Sequence, residues 1–173
     1  GQYPSRHWGW GLSMTDALNE AHKVSNRKPM LVTECGYHNK EHNPNHPGVS
    51  ENAAAIYHLH LFFTYFNQGI VRSYKYEFLD LNPDNDMGDM ECHFGLVRSD
   101  GSVKPSFTAI KNLISLLDEQ ADNCKCRDLS FAIEAENGEN IKTTLLQKAD
   151  GSWWLALMRE VEVYDLKQRK DVT

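Results

Sequence analysis

Several things are scarce or missing in this 173-residue sequence. No long basic run occurs, and 18 lysines and arginines against 24 aspartates and glutamates leave a formal net charge of −6. That balance disfavours phosphate backbones and anionic headgroups, so neither nucleic acid nor an anionic membrane is an expected partner. No apolar stretch approaches the roughly 20 residues of a spanning helix, so no membrane span is expected. Gly1-Gln2-Tyr3-Pro4 has neither a charged start nor an apolar run behind it. It does not read as a signal peptide, although a fragment or a processed chain would have lost one. No C-x-x-C pair occurs, which argues against a zinc ribbon. The four cysteines, Cys35, Cys92, Cys124 and Cys126, allow three pairings. Cys124 and Cys126 are too close in sequence to bond each other without strain. Buried thiols and disulfides both stay open. No internal repeat is visible.

What is present is an ordinary globular composition, 40% hydrophobic and 24% charged. After an aromatic and glycine-rich opening from Tyr3 to Gly11, the residues Met14, Ala17, Leu18, Ala21 and Val24 share one helical face. Ser13 caps that helix, with Asp16 three residues on. Met30 to Thr33 is too short and apolar for a helix and reads as a buried parallel strand ending at Glu34. A polar loop from Gly36 to Gly48 follows. Ser50 then caps a long helix, from about Glu51 to Asn67, with Ile56, Leu59, Phe62, Phe63 and Phe66 as its apolar stripe and Gly69 as its stop. Ile70 to about Phe78 is a second strand, ending in Tyr76 and Glu77. Asp100-Gly101 marks a turn. Pro105 opens a third helix striped by Phe107, Ile110, Leu113, Ile114 and Leu117. This helix–strand alternation is the rhythm of βα units on a parallel sheet, an α/β class.

The pattern changes after about Asp128. Leu129 to Glu136 alternates in polarity, Asn137-Gly138 and Asp150-Gly151 are turn signals, and Ile141 to Lys148 and Trp153 to Val161 are further strands. An antiparallel domain is expected from here, giving a division into residues 1–122 and 123–173. Two parallel strands alone leave open edges and a half-covered core, so the chain reads as a piece of a larger assembly whose missing strands come from the same or another chain.

Glu34 is the leading candidate for chemistry. A carboxylate closing a buried strand can act as nucleophile or general base, while its bland counterpart is a salt-bridge partner. Tyr37, His38, Tyr76, Trp8 and Trp10 are candidate sugar contacts, because aromatic rings bury large apolar areas and can stack on sugar faces. For Trp8 and Trp10 the competing reading is coverage of the sheet rim. Glu77 is a binding residue or a structural ion-pair member, and Arg72 and Lys75 are structural partners. His38, His42 and His46 are spaced for a metal on a helix, but Pro44 and Pro47 argue against helix there, and no metal ligand set is assigned. Asp80, Asn82, Asp84, Asp86 and Glu91 fall at positions one, three, five, seven and twelve of an EF-hand-like loop, with Asn85 where glycine belongs. A structural calcium in the Asp80–Glu91 loop stands beside the reading of a solvated acidic loop.

Lys28-Pro29-Met30-Leu31-Val32-Thr33-Glu34-Cys35-Gly36-Tyr37 resembles the seventh strand of the retaining glycoside hydrolases of clan A. His93-Phe94-Gly95-Leu96-Val97, Asp100-Gly101 and Lys104-Pro105 are similar to the segment that leads into the eighth helix of those enzymes. The resemblance covers about Pro4 to Leu117, and the segment from Leu145 to Leu157 resembles the β-domain that often follows. It implies the C-terminal portion of a TIM (β/α)8 barrel followed by a partial antiparallel β-sandwich-like domain. It implies that Glu34 is the nucleophile on a β-linked glycan and that the acid/base glutamate lies outside this chain. It also implies that the missing N-terminal part of the barrel is a partner and that the protein is secreted or extracellular. The alternative is a catalytically inactive barrel serving as a glycan-binding or structural extracellular protein. A separate carbohydrate-binding module is weaker, because adjacent Trp153 and Trp154 cannot both face outward from one strand.

Overall fold

A computed structural model describes residues 13–26, 28–44, 46–81, 89–119, 127–134, 136 and 141–172. Helix α1 spans Met14–Val24. Ser13 Oγ accepts from the Asp16 amide at 3.1 Å, and the Asp16 carboxylate accepts from the Ser13 amide at 3.0 Å. These reciprocal bonds satisfy donors that a helix start leaves bare. Strand β1, Met30–Cys35, runs one residue past Glu34, its expected end. Helix α2, Glu51–Asn67, is capped by Ser50, whose Oγ accepts from the Ala53 amide at 3.0 Å. Gly69, at φ 73°, turns the chain out of α2, a conformation that costs glycine little because it has no Cβ. Strand β2, Ile70–Lys75, then pairs parallel with β1, placing Cys35 opposite Lys75. Helix α3, Pro105–Leu117, begins on its proline.

The core has two centres on α2. Toward its C-terminal half, Leu61 and Tyr65 meet Leu18 of α1, Cys35 of β1 and Ile70 of β2. Toward its N-terminus, Ala53, Ala54 and Tyr57 pack on Val49 and Tyr164. The buried face of α2 is therefore Ala53, Ala54, Tyr57, His58, His60, Leu61 and Tyr65, while Ile56 and Phe66 of the expected stripe are exposed. The reason lies in composition: α2 is apolar on more than one face, so periodicity alone does not say which face turns inward.

Strands β3, Ile141–Gln147, and β4, Trp153–Arg159, form an antiparallel hairpin closed at Asp150-Gly151. Asn67 ties it to the end of α2, donating to the Thr143 carbonyl at 3.0 Å and accepting from Thr144 Oγ1 at 3.0 Å. Two short strands, β5, Tyr164–Asp165, and β6, Lys170–Asp171, pair with each other. The Tyr164 hydroxyl bonds Glu41, and Tyr57 accepts from the Val163 amide at 3.0 Å.

This architecture corrects the expected fold class. Among the described residues there is no barrel and no extended β-sandwich: three α-helices accompany three separate two-stranded sheets. A barrel requires every strand to be bonded on both sides, and among the described residues β1 and β2 pair only with each other. Leu31 and Val71 of these strands stay 56% and 62% exposed, so among the described residues no layer covers them. A sandwich requires two facing sheets, and the expected strand Leu129–Glu136 is not one: residues 129–134 and 136 take no strand conformation. The rhythm of elements in sequence was correct locally, but it does not specify how many strands join one sheet. The expected domain boundary at 122/123 lies outside the described residues, as does the Asn137-Gly138 turn. Among the described residues no helix is long and apolar enough to cross a membrane.

Candidate functional site

At the C-terminal end of β1 a cavity of about 430 Å³ is lined by Met14, Glu34, Cys35, Gly36, Tyr37, Leu61, Tyr65, Tyr76, Glu91 and Phe94. Its walls come from α1, β1, α2 and the segments that follow β1 and β2. Glu34, Cys35, Gly36 and Tyr37 are the last residues of β1 and those that follow it. Tyr76 follows β2, Leu61 and Tyr65 are on the core face of α2, and Met14 opens α1. Glu91 lies on a 3₁₀ turn, Met90–His93, and Phe94 follows it.

Gly36 packs closely against the end of β2. A Cβ there would lie 2.5 Å from the Tyr76 carbonyl oxygen and 2.8 Å from Lys75 Nζ, so only glycine lets them approach this way. Lys75 Nζ donates to the Tyr76 carbonyl and, at 2.7 Å, to that of Phe94. It thus ties the β2 end to the turn carrying Glu91. Burial pushes the Lys75 amine down to about 8, partly opposed by the nearby Cys35, Glu77 and Asp80. The Cys35 thiol, buried and donating to the Tyr74 carbonyl at 3.2 Å, is pushed up to about 11 by burial, against the pull of Lys75. It is a core thiol rather than a nucleophile.

The charges of three carboxylates act on the Tyr76 phenol. The charge of Glu77 is the largest cause of its raised pKa. Burial, the hydrogen bond with Glu91 and the charges of Glu91 and Glu34 add to the same direction. The Tyr76 hydroxyl donates to Glu91 Oε2 at 3.2 Å, and its ring meets Phe94 edge-on at 5.4 Å. Glu34 itself lines the cavity and is exposed to solvent.

His58 supports the same wall from behind. It is fully buried, accepts from the Tyr37 amide through Nε2 at 3.3 Å, and has Nδ1 3.1 Å from Ser106 Oγ on α3. Accepting at Nε2 assigns the neutral proton to Nδ1. Burial, aided by the charges of Lys75 and Lys104, lowers His58 to about 3. The Tyr37 ring meets His58 edge-on at 5.4 Å, and burial drives its phenol well above the usual tyrosine range.

Of the residues singled out in the sequence, the cavity brings together Glu34, Tyr37 and Tyr76. His38 is not in its lining. It is 2% exposed, with Nε2 3.0 Å from His46 Nδ1 and its ring on Phe94, and burial lowers it to about 4. Glu77 stands beside Tyr76 but outside the lining; among the described residues nothing bonds its buried Oε1, and burial is the largest cause of its raised pKa. Trp8 and Trp10 lie outside the described residues. So do residues 82–88 of the proposed calcium loop, and its two ends diverge: Glu91 lines this cavity, whereas Asp80 bonds Lys104. Among the described residues no group of three or more His, Cys, Asp or Glu side chains is arranged to hold a metal ion. Tyr65, Phe94 and Glu91 were missed as site residues. Phe94 stood in a quoted motif, but nothing in the spacing linked it to Glu34 across 60 positions of chain. No protein-family model and no curated protein matches this chain.

Proposed function

We propose that the chain carries the nucleophile side of a retaining glycoside hydrolase acting on a β-linked glycan, with the acid/base glutamate supplied from outside this chain. The single observation that supports this is the cavity itself: Glu34 opens into a space walled by Tyr37, Tyr65, Tyr76 and Phe94. A carboxylate for covalent attack beside rings able to stack on apolar sugar faces is the combination this chemistry needs. The motif order of Thr33-Glu34-Cys35-Gly36 followed by Phe94-Gly95-Leu96 and Lys104-Pro105 supports the same reading by resemblance.

In the proposed reaction the Glu34 carboxylate attacks the anomeric carbon. The glycosidic bond breaks as the second glutamate gives its proton to the departing oxygen. Water then takes the sugar from Glu34, returning a proton to that glutamate. Tyr76, close to Glu34, Glu77 and Glu91, orients the group that binds in front of it.

The test is Glu34→Gln in the full-length protein, which removes the nucleophile and keeps the shape. Turnover of β-linked glycosides should be abolished while glycan binding persists. Turnover that survives the substitution overturns the assignment. Binding without turnover in the unsubstituted protein would select the inactive glycan-binding alternative.

A further inference from the structure

A second carboxylate, Glu91, lines the same cavity as Glu34. Glu91 sits on a short turn fixed at its start, where Asp89 Oδ1 accepts from the Glu91 amide at 2.9 Å. Its side chain is aimed by the Tyr76 hydroxyl at 3.2 Å. Tyr76 is in turn held edge-on against Phe94, and the Phe94 carbonyl is held by Lys75. One oxygen of Glu91 is thus engaged, and a carboxylate has about four acceptor sites in all. The rest of its acceptor capacity belongs to a side chain that lines the same cavity as Glu34. Pockets of this kind bind through apolar walls and gain selectivity from a few oriented polar groups. The described lining offers apolar walls from Met14, Leu61, Tyr65 and Phe94 and carboxylates from Glu34 and Glu91.

Resting on the glycosidase reading above, we infer that Glu91 is a specificity-determining residue that accepts hydrogen bonds from sugar hydroxyls, with Tyr76 as the positioning residue that aims it. Its ligand class is a sugar ring with unmodified hydroxyls. A sugar whose contacting hydroxyl is missing forfeits the interaction, and one with a carboxylate there meets like charge.

The test compares the full-length protein with its Glu91→Gln and Tyr76→Phe variants on para-nitrophenyl β-glucoside and its monodeoxy analogues. A hydrogen bond to a charged acceptor predicts a loss in kcat/KM of about ten- to a hundredfold for Glu91→Gln on the parent glycoside. That loss should disappear on the one deoxy analogue lacking the contacted hydroxyl, and the pH profile should keep both limbs. Tyr76→Phe should give a smaller loss with the same selectivity. An equal loss on every analogue would make Glu91 merely structural, and no loss at all would remove it from the site. Disappearance of the alkaline limb would make it the proton donor instead; each of these three results overturns the inference. If the unsubstituted protein turns over none of these glycosides, the comparison is read from dissociation constants for methyl β-glucoside and its deoxy forms. Equal constants for the wild type and Glu91→Gln then overturn it. Turnover surviving in Glu34→Gln would instead sink the glycosidase reading, so the two failures are distinguishable.

Discussion

Asp80 and Glu91 are the two ends of one acidic segment, yet their surroundings are opposite. Asp80 is buried, its Oδ1 accepting from Lys104 Nζ at 2.8 Å and from the Gly95 amide at 2.7 Å. Lys104 spends its other donors on Asn39 Oδ1 at 3.1 Å and the His93 carbonyl at 3.3 Å, and is itself 2% exposed. Glu91 instead lines an open cavity and is held through one oxygen. The start of α3 serves the closed side twice over: Lys104 fixes the acidic segment and Ser106, two residues on, holds His58 behind Tyr37. Residues of one type in one segment are thus divided between architecture and chemistry. The difference is whether the neighbours satisfy them or leave them facing a space.

The sharpest way to break this comparison is to unpair Asp80. Lys104→Met removes the cation and leaves the buried Asp80 carboxylate with the Gly95 amide but without its ion-pair partner. The expected cost is about 3–5 kcal/mol, the usual penalty of a buried charge left without its partner, read as a lower urea midpoint. Adding Asp80→Asn should recover part of it, because the stranded charge is then gone. Glu91→Gln should by contrast change stability by less than about 0.5 kcal/mol, as for a side chain facing solvent. If the two substitutions cost the same, the division between closed and open carboxylates is wrong.

The next largest effect concerns pH. His58 is held down to about 3, below its ordinary 6.5, so the unfolded chain takes up a proton before the folded one does. The stability contributed by neutral His58 is complete above about pH 6.5 and is lost as pH falls toward 3. His38, held near 4, acts in the same direction over the upper part of that window. Each group steepens the fall by at most about 1.4 kcal/mol per pH unit. His58→Gln should flatten the pH dependence of the urea midpoint between about pH 6.5 and pH 4, at some cost in stability at neutral pH. An unchanged slope would mean that His58 is not the neutral bridge between Ser106 and Tyr37.

Much of the local structure was legible because it depends on neighbouring residues. Ser13 with Asp16, Ser50, Gly69, Pro105 and the turn at Asp150-Gly151 act where the sequence has them. Glu34 at a strand end beside Tyr37 was legible for the same reason. What could not be read depends on partners far away in the chain. The inward face of α2 is decided by Tyr164, Cys35 and Ile70, and Ile56 and Phe66 have the same apolar character as the residues that went inside. Leu129, Phe131 and Ile133 alternate as a strand should, but a strand also requires a neighbour with which to bond, and none is formed by residues 129–134. Glu91 joined the site through a bond to Tyr76 across 15 positions, a distance at which no periodicity operates.

A smaller test trims one hydroxyl from the closed side. Tyr57 is fully buried beneath β5, and its hydroxyl accepts from the Val163 amide. Tyr57→Phe keeps the ring against Tyr164 and Val49 and strands that amide, so a loss of about 1–3 kcal/mol is expected by urea unfolding. A neutral result would mean that the segment before β5 finds another acceptor without difficulty.

The smallest expected effect probes exposure itself. Arg98 grips Glu51, in the first turn of α2, through two nitrogens, Nε at 2.9 Å from Oε1 and Nη2 on Oε2. In geometry it rivals Lys104 with Asp80, but its side chains are 36% and 30% exposed where those of the other pair are 3% and 10%. Water screens the attraction and already solvates both ions when they part, so the pair should contribute only about 0.2–1 kcal/mol. Part of that comes from an acid at a helix start. Glu51→Gln should lower stability by no more than this, and the difference should shrink as salt is raised from about 0.05 M to about 0.5 M. A loss that matches Lys104→Met and ignores salt would mean that good geometry, rather than removal from water, separates the structural carboxylates from the rest.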